Sequence, residues 1–206
     1  MYIFIAGILA YLLGSFPSAV ALGKWLKGID VRGFGSGNAG ATNVFRVLGW
    51  QLGVPVLMLD IAKGIFAARL SFLDVLSNHG LDRIEMALVF GLAAVIGHLF
   101  PIFAGFKGGK GVATFFGVLI GAHPESAFVS VAIFTAVFFL TKYVSLASII
   151  TSIMYPVQII VVHNFQQDLM IVFSLIVPLV VCITHSKNIN RLLNGTENRV
   201  NFSKSN

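Results

Sequence analysis

The sequence predicts an all-helical integral membrane protein, and three observations carry that. Apolar residues make up 57% of the 206-residue chain and charged residues only 11%, against about 25% charged in a soluble domain. The apolar residues fall in long runs, of the length needed to cross a bilayer at about 1.5 Å per helical residue. The Lys and Arg residues gather in alternate loops. No low-complexity linker or clear internal repeat divides the chain, so residues 1–206 are expected to form one membrane-embedded domain.

Residues 2–22 are apolar apart from Gly14, Ser15, Pro17 and Ser18, and no basic residue precedes them. They read as a retained first span, not a signal peptide. Residues 23–50 are a polar loop, and 51–71 a second span holding Asp60 and Lys63 one turn apart, a spacing suited to a paired intramembrane charge. A third span covers 84–103. Residues 112–122 are short for a crossing and 126–140 are marginal; they read as two short helices or a re-entrant hairpin. Spans at 144–162 and 169–184 complete seven transmembrane helices, some of them short.

Eleven of the 14 Lys and Arg fall on one side of this arrangement: Lys24, Lys27, Arg32, Arg46, Lys107, Lys110, Lys142, Lys187, Arg191, Arg199 and Lys204. The positive-inside rule therefore places those loops and the C-terminus in the cytoplasm, with the N-terminus outside. Asp74, Asp82, Glu125 and Asp168 collect on the opposite side. The single cysteine, Cys182, excludes an internal disulfide.

Every polar cluster with chemical potential lies on the basic side. In the first, Gly35-Ser36-Gly37-Asn38-Ala39-Gly40-Ala41-Thr42-Asn43, glycines let backbone N–H groups approach a ligand and short side chains add donors. An apolar run from Val44 opens a helix behind it, and Arg46 supplies a planar cation suited to a phosphate. The stretch reads as an oxyanion cradle; a flexible linker is the bland alternative. The second cluster is Gly97-His98-Leu99-Phe100-Pro101 running into Gly105–Thr114, with Lys107, Gly108, Gly109 and Lys110. It is not a Walker A loop, because Ala104 stands where the leading Gly belongs and Gly111 follows Lys110 in place of Ser or Thr. Cytoplasmic anchoring would also explain the two lysines. His98 reads as a general base, a phosphate ligand, or a half-solvated interfacial residue.

The third cluster is Tyr143–Ser148, with Ser145 and Ser148 on one side of a helix start. The fourth runs from His185 to Glu197, and His185 and Asn188 are close if the last helix continues. Two dianion cradles on one membrane face suit a reaction between two phosphate-bearing molecules. No Ser–His–Asp set and no cluster with metal-ligand spacing stands out, so neither metal nor cofactor is expected. A membrane transporter or channel for an organic phosphate is the rival reading, since such proteins also use glycine-broken helices near cations.

At these four motifs the chain resembles the bacterial PlsY family, membrane glycerol-3-phosphate acyltransferases that use acyl-phosphate. The resemblance implies transfer of a fatty acyl group to the 1-hydroxyl of sn-glycerol 3-phosphate, giving lysophosphatidic acid and phosphate. It implies a multi-pass protein of the bacterial inner membrane with its site facing the cytoplasm. Ser36, Arg46, Lys110 and His185 take catalytic roles by that resemblance. Gly37, Asn38, Gly40, Ala41, Thr42, Asn43, His98, Lys107, Gly108, Gly109, Ser145, Ser148, Asn188 and Glu197 take substrate-binding ones. The partners implied are the two substrates, membrane lipid and a functionally coupled enzyme that makes acyl-phosphate; no nucleic acid is expected. The proton acceptor stays open among His185, His98 and the donor's own phosphate.

Overall fold

The computed structural model describes residues 1–76, 80–163 and 167–200; Lys204 lies outside them. The described residues contain ten α-helices and no strand. Four helices are long and apolar enough to cross a membrane, or six if each of two bent pairs counts as one span. The chain divides into two compact units, Met1–Pro124 and Glu125–Asn206.

In the first unit, α1 (Tyr2–Ser15) does not run on to residue 22 as one straight span. It breaks at Phe16–Pro17, and α2 (Ser18–Lys27) leaves at a 41° bend. Proline lacks the N–H that would continue the helix and pushes the residue before it toward extended backbone; Phe16 has ψ 115°. The break turns the Phe16 carbonyl and the Ser18 hydroxyl toward α4 (Trp50–Arg69), where Lys63 and Asp60 bond them. Inside a bilayer apolar burial drives helix pairing only weakly, so close backbone approach matters more. Ala6, Ala10 and Gly14 form a small-residue stripe at i, i+4 spacing on α1, buried where α1 meets α5 (Arg83–Leu99). Gly14 rests on the Ala94 backbone, where a Cβ would overlap it. Gly117 and Gly121 of α6 (Val112–Ala122) do the same against Ile61, Ile65 and Ala68 of α4. Between α2 and α4, the amphipathic α3 (Ala41–Leu48) seals its inner face with Val44 against Val20, Val31 and Val56. A capping box starts α5: Asp82 accepts from Glu85 N (2.8 Å) while Glu85 accepts from Asp82 N (3.0 Å).

The second unit holds α7 (Pro124–Thr141, all but its first residue), α8 (Val144–Val157), α9 (Asp168–Thr184) and α10 (Ser186–Leu193). The marginal run 126–140 is one helix of 18 residues, apolar enough to span, whereas α6 has only 11. Pro156 removes a helical donor, and α8 continues through a π turn, Gln158–Val162. Gln158 is buried there, donating to Ser126 O (3.0 Å) and accepting from Ser130 Oγ (3.3 Å). The last helix does not continue straight into the tail: α9 and α10 meet at a 67° bend before the chain turns at Gly195.

Candidate active site

The first glycine loop is built by an amide that the sequence offered as a ligand. Asn43, 1% exposed, accepts from Ser36 N (2.8 Å) and Ser36 Oγ (3.1 Å) and donates to Val31 O (3.0 Å) and Phe34 O (3.1 Å). Both donors and both lone pairs of an amide are then in use. In the structure Asn43 serves as an internal strut of the loop. Gly35 allows this closeness, with φ +60° and no room for a Cβ beside Asn43 and Val47. Ser36 and Gly37 remain exposed at the loop tip, Asn38 and Gly40 are half-buried, and Ala41 is buried in the first turn of α3. Thr42 and Arg46 are exposed and share one face of α3, one turn apart.

Arg32 joins the two glycine loops. Its guanidinium grips Asp30 through Nε (2.9 Å) and Nη2 (2.7 Å), while Nη1 donates to Ala104 O (2.8 Å) and Lys107 O (3.4 Å). That hydrogen-bonded guanidinium holds the Asp30 carboxyl well below the usual carboxylate range, and Asp30 in turn pushes Arg32 up. The i, i+2 spacing of Asp30 and Arg32 is the sequence signal for this pair.

The second loop folds back on the end of α5. Phe106 N donates to Pro101 O (2.9 Å), Gly108 N to Leu99 O (3.1 Å) and Gly109 N to His98 O (3.2 Å). Phe106 itself has φ +59°, which costs about 1–2 kcal/mol for an L-residue. Lys107 is exposed; Gly108, Gly109 and Lys110 are half-buried. An open depression between the loops is lined by Arg32, Gly33 and Gly37 on one side and Gly105, Lys107 and Gly108 on the other. Beside it a narrow cleft reaches down between Ala39 and Lys107–Gly109 to Lys63 and His98.

His98 is not the half-solvated interfacial residue that was one of its expected fates. It is 6% exposed, with Nδ1 3.6 Å from Asp60 Oδ1. Asp60 also faces Lys63 Nζ at 2.8 Å, as the i, i+3 spacing suggested.

The second unit carries its own polar cluster, centred on Glu197, whose side chain is 6% exposed. Its Oε1 accepts from Ser145 Oγ (2.8 Å) and Asn188 Nδ2 (2.6 Å), and its Oε2 from Arg191 Nε (2.6 Å). Burial pushes the Glu197 carboxyl up, but these three donors outweigh it and leave it below its ordinary value. A carboxylate would repel a phosphate, and this one is occupied. In the structure Glu197 gathers the donors around it. His185 is buried, and its Nδ1 lies 2.8 Å from Val181 O, which fixes the ring. Ser148 bonds its own helix at Val144 O (2.9 Å), a common fate of helical serines. Past Glu197 the tail is pinned by Arg199, which donates to Tyr143 Oη (2.9 Å), and by Val200 N on Lys142 O (2.9 Å).

Comparison with known proteins places this chain among acyltransferases. The glycerol-3-phosphate acyltransferase family model matches residues 4–195. The chain is 42% identical to the glycerol-3-phosphate acyltransferase of Chlorobium luteolum, covering 95% of each. It is 43% identical to that of Chlorobaculum tepidum, covering 97% of each. A crystal structure of PlsY, an integral membrane glycerol 3-phosphate acyltransferase in its glycerol 3-phosphate form, superposes with TM-score 0.87. It shares 38% identity over 98% of this chain and 96% of that one. The lysophosphatidic acid form of PlsY gives 0.85 at 37% identity.

Proposed function

This chain belongs to the glycerol-3-phosphate acyltransferase family, and from that premise we propose that it moves a fatty acyl group from acyl-phosphate to the 1-hydroxyl of sn-glycerol 3-phosphate. The products are lysophosphatidic acid and inorganic phosphate. The observation that carries the reading is the pairing of two glycine loops, clamped together by Arg32, around an open, cation-bearing depression. Backbone amides flanked by Arg46, Lys107 and Lys110 suit a dianion.

The acyl chain of the donor is dry in the bilayer and in an apolar groove alike, so its methylenes (about 0.8 kcal/mol each against water) add little to binding. Recognition then falls to the phosphate ends. In this reading Ser36, Gly37, Asn38, Gly40, Ala41 and Thr42 surround the donor phosphate and the developing oxyanion, where one well-placed donor is worth about 3–4 kcal/mol. Arg46, Lys107 and Lys110 neutralise charge, while Gly108 and Gly109, whose N–H groups are bonded to Leu99 O and His98 O, bring the loop backbone close to the substrate without a side chain in the way. His185, Ser145, Ser148 and Asn188 are assigned to glycerol 3-phosphate. The donor's own phosphate, with a second pKa near 6, serves as proton acceptor, since His98 is turned to Asp60 and His185 is held by Val181.

The same reading has seven membrane helices with α6 as the short one, N-terminus outside and C-terminus cytoplasmic, acting as one functional domain in the bacterial inner membrane. The basic loops favour that orientation. A functionally coupled enzyme that makes acyl-phosphate supplies the donor. The test is phosphate release by detergent-purified protein given acyl-phosphate and glycerol 3-phosphate, in wild type and Arg46→Ala. Release that depends on both substrates and falls at least tenfold in the variant is expected. No release, with uptake of a phosphate ester into liposomes, would replace catalysis by transport.

A further inference from the structure

The chain leaves α10 by a fixed reversal. Gly195 takes φ +67°. Its N–H donates to Leu192 O (3.2 Å) and the Thr196 N–H to Arg191 O (2.8 Å), the pair of bonds that closes a helix at a left-handed glycine. Beyond this turn the tail runs back along the junction of α7 and α8, and its contacts fall in one register. Glu197 Oε1 accepts from Ser145 Oγ (2.8 Å), Arg199 Nε donates to Tyr143 Oη (2.9 Å), and Val200 N donates to Lys142 O (2.9 Å). As the tail advances from 197 to 200 its partner falls from 145 to 142, so the two segments lie antiparallel.

The receiving side is itself constrained. Lys142 has φ +62°, a conformation that L-residues other than glycine rarely adopt. Its N–H closes α7 on Phe138 O (2.7 Å), while its carbonyl takes the Val200 N–H. Arg199 is exposed, and its guanidinium lies over the Tyr143 ring (5.0 Å to the centroid) as well as bonding the phenol. The partner is a phenol and not a carboxylate, so the contact cancels no charge; it fixes the register of the tail. Glu197 sits between the two anchors, and its carboxylate gathers Asn188 (2.6 Å) and Arg191 (2.6 Å) besides Ser145. A tail held only at Gly195 would have to give up conformational freedom to bring that carboxylate into place.

We propose that Tyr143 and Arg199 are positioning residues for acyl transfer. They latch the tail in register, and through Glu197 they set Ser145 and Asn188 for glycerol 3-phosphate. Neither touches substrate. The inference rests on the reading of Ser145, Asn188 and His185 as the glycerol 3-phosphate side of the site.

The experiment measures phosphate release, with each substrate varied in turn, and unfolding in detergent. The variants are Arg199→Ala, Tyr143→Phe, their double, Glu197→Gln, and Glu197→Gln/Arg199→Ala. Arg199→Ala should raise KM for glycerol 3-phosphate about fivefold or more and leave donor KM within about twofold. Tyr143→Phe deletes one oxygen and keeps the ring, so it tests the latch even if Arg199→Ala unfolds; a rise of about threefold is expected. Because the two residues share one contact, their double should stay within about twofold of Arg199→Ala. Because the latch acts through Glu197, Glu197→Gln/Arg199→Ala should likewise stay within about twofold of Glu197→Gln. An unchanged glycerol 3-phosphate KM in Tyr143→Phe, or both KM values rising together in Arg199→Ala, would overturn the latch. So would effects of Glu197→Gln and Arg199→Ala that multiply, which would make Arg199 a direct ligand. If His185→Ala and Glu197→Gln moved donor KM instead, the reading of this side of the site would fail, whatever the latch variants did.

Discussion

Asn43→Asp keeps the shape of the side chain and deletes both of its N–H donors. One oxygen still accepts from Ser36, but the other faces the carbonyls of Val31 and Phe34, which the amide nitrogen had bonded at 3.0 and 3.1 Å. Two lost hydrogen bonds contribute about 1 kcal/mol each, and the acceptors left unpaired cost about 1–3 kcal/mol more apiece. Even at the low end of these figures the total is about 4 kcal/mol, a large share of the roughly 5–15 kcal/mol that holds a typical domain folded. At about 1.4 kcal/mol per decade, the organised loop becomes a minor population, and phosphate release should fall by about 10²–10³. Thermal unfolding in detergent should drop with it, and trypsin should cut faster at Arg32, which the loop no longer holds. Unchanged unfolding and proteolysis, with only the donor KM raised, would return Asn43 to the role of ligand and refute the strut.

Arg32→Lys loses the forked grip on Asp30 and the bonds to Ala104 O and Lys107 O; donor KM is expected to rise about tenfold with kcat changed less. Glu197→Gln removes the charge that holds Arg191, Asn188 and Ser145, and KM for glycerol 3-phosphate should rise at least tenfold. Because the folded-state pKa of Glu197 is depressed, its stabilising contribution is complete above the ordinary value of 4.5 and is lost as pH falls through the lower, folded value. Wild-type unfolding temperature should therefore show an acid limb below that value that Glu197→Gln flattens. His185→Ala should raise KM for glycerol 3-phosphate more than it lowers kcat; a pure kcat collapse would make His185 the base.

Much of the helix pattern was legible because hydropathy is local: residues 84–103 and 144–162 read as spans fall within Arg83–Ala104 and Val144–Val162. Local information also brought the Asp60–Lys63 pair together, one turn apart on a single helix. The break at Phe16–Pro17 was hidden because one proline near the end of a long apolar run barely changes its mean hydropathy. The Ala6, Ala10, Gly14 stripe was hidden because small residues signal packing only once the partner helix is known.

The sequence by itself determined that this is a helical membrane protein whose glycine, Ser, Asn and basic residues collect in a few loops, and its motifs pointed to the family. Ligand and scaffold were not separable there, since an Asn that holds a phosphate and an Asn that holds a loop are the same letter among the same neighbours. Only the tertiary structure shows which partners each of them finds. Asn43 is braced by Ser36, Val31 and Phe34, which use its whole hydrogen-bonding capacity, and Glu197 by Ser145, Asn188 and Arg191, which use three of its roughly four lone-pair sites. His98 is buried because α4 brings Asp60 to one edge of its ring and the loop brings Gly109 to the other.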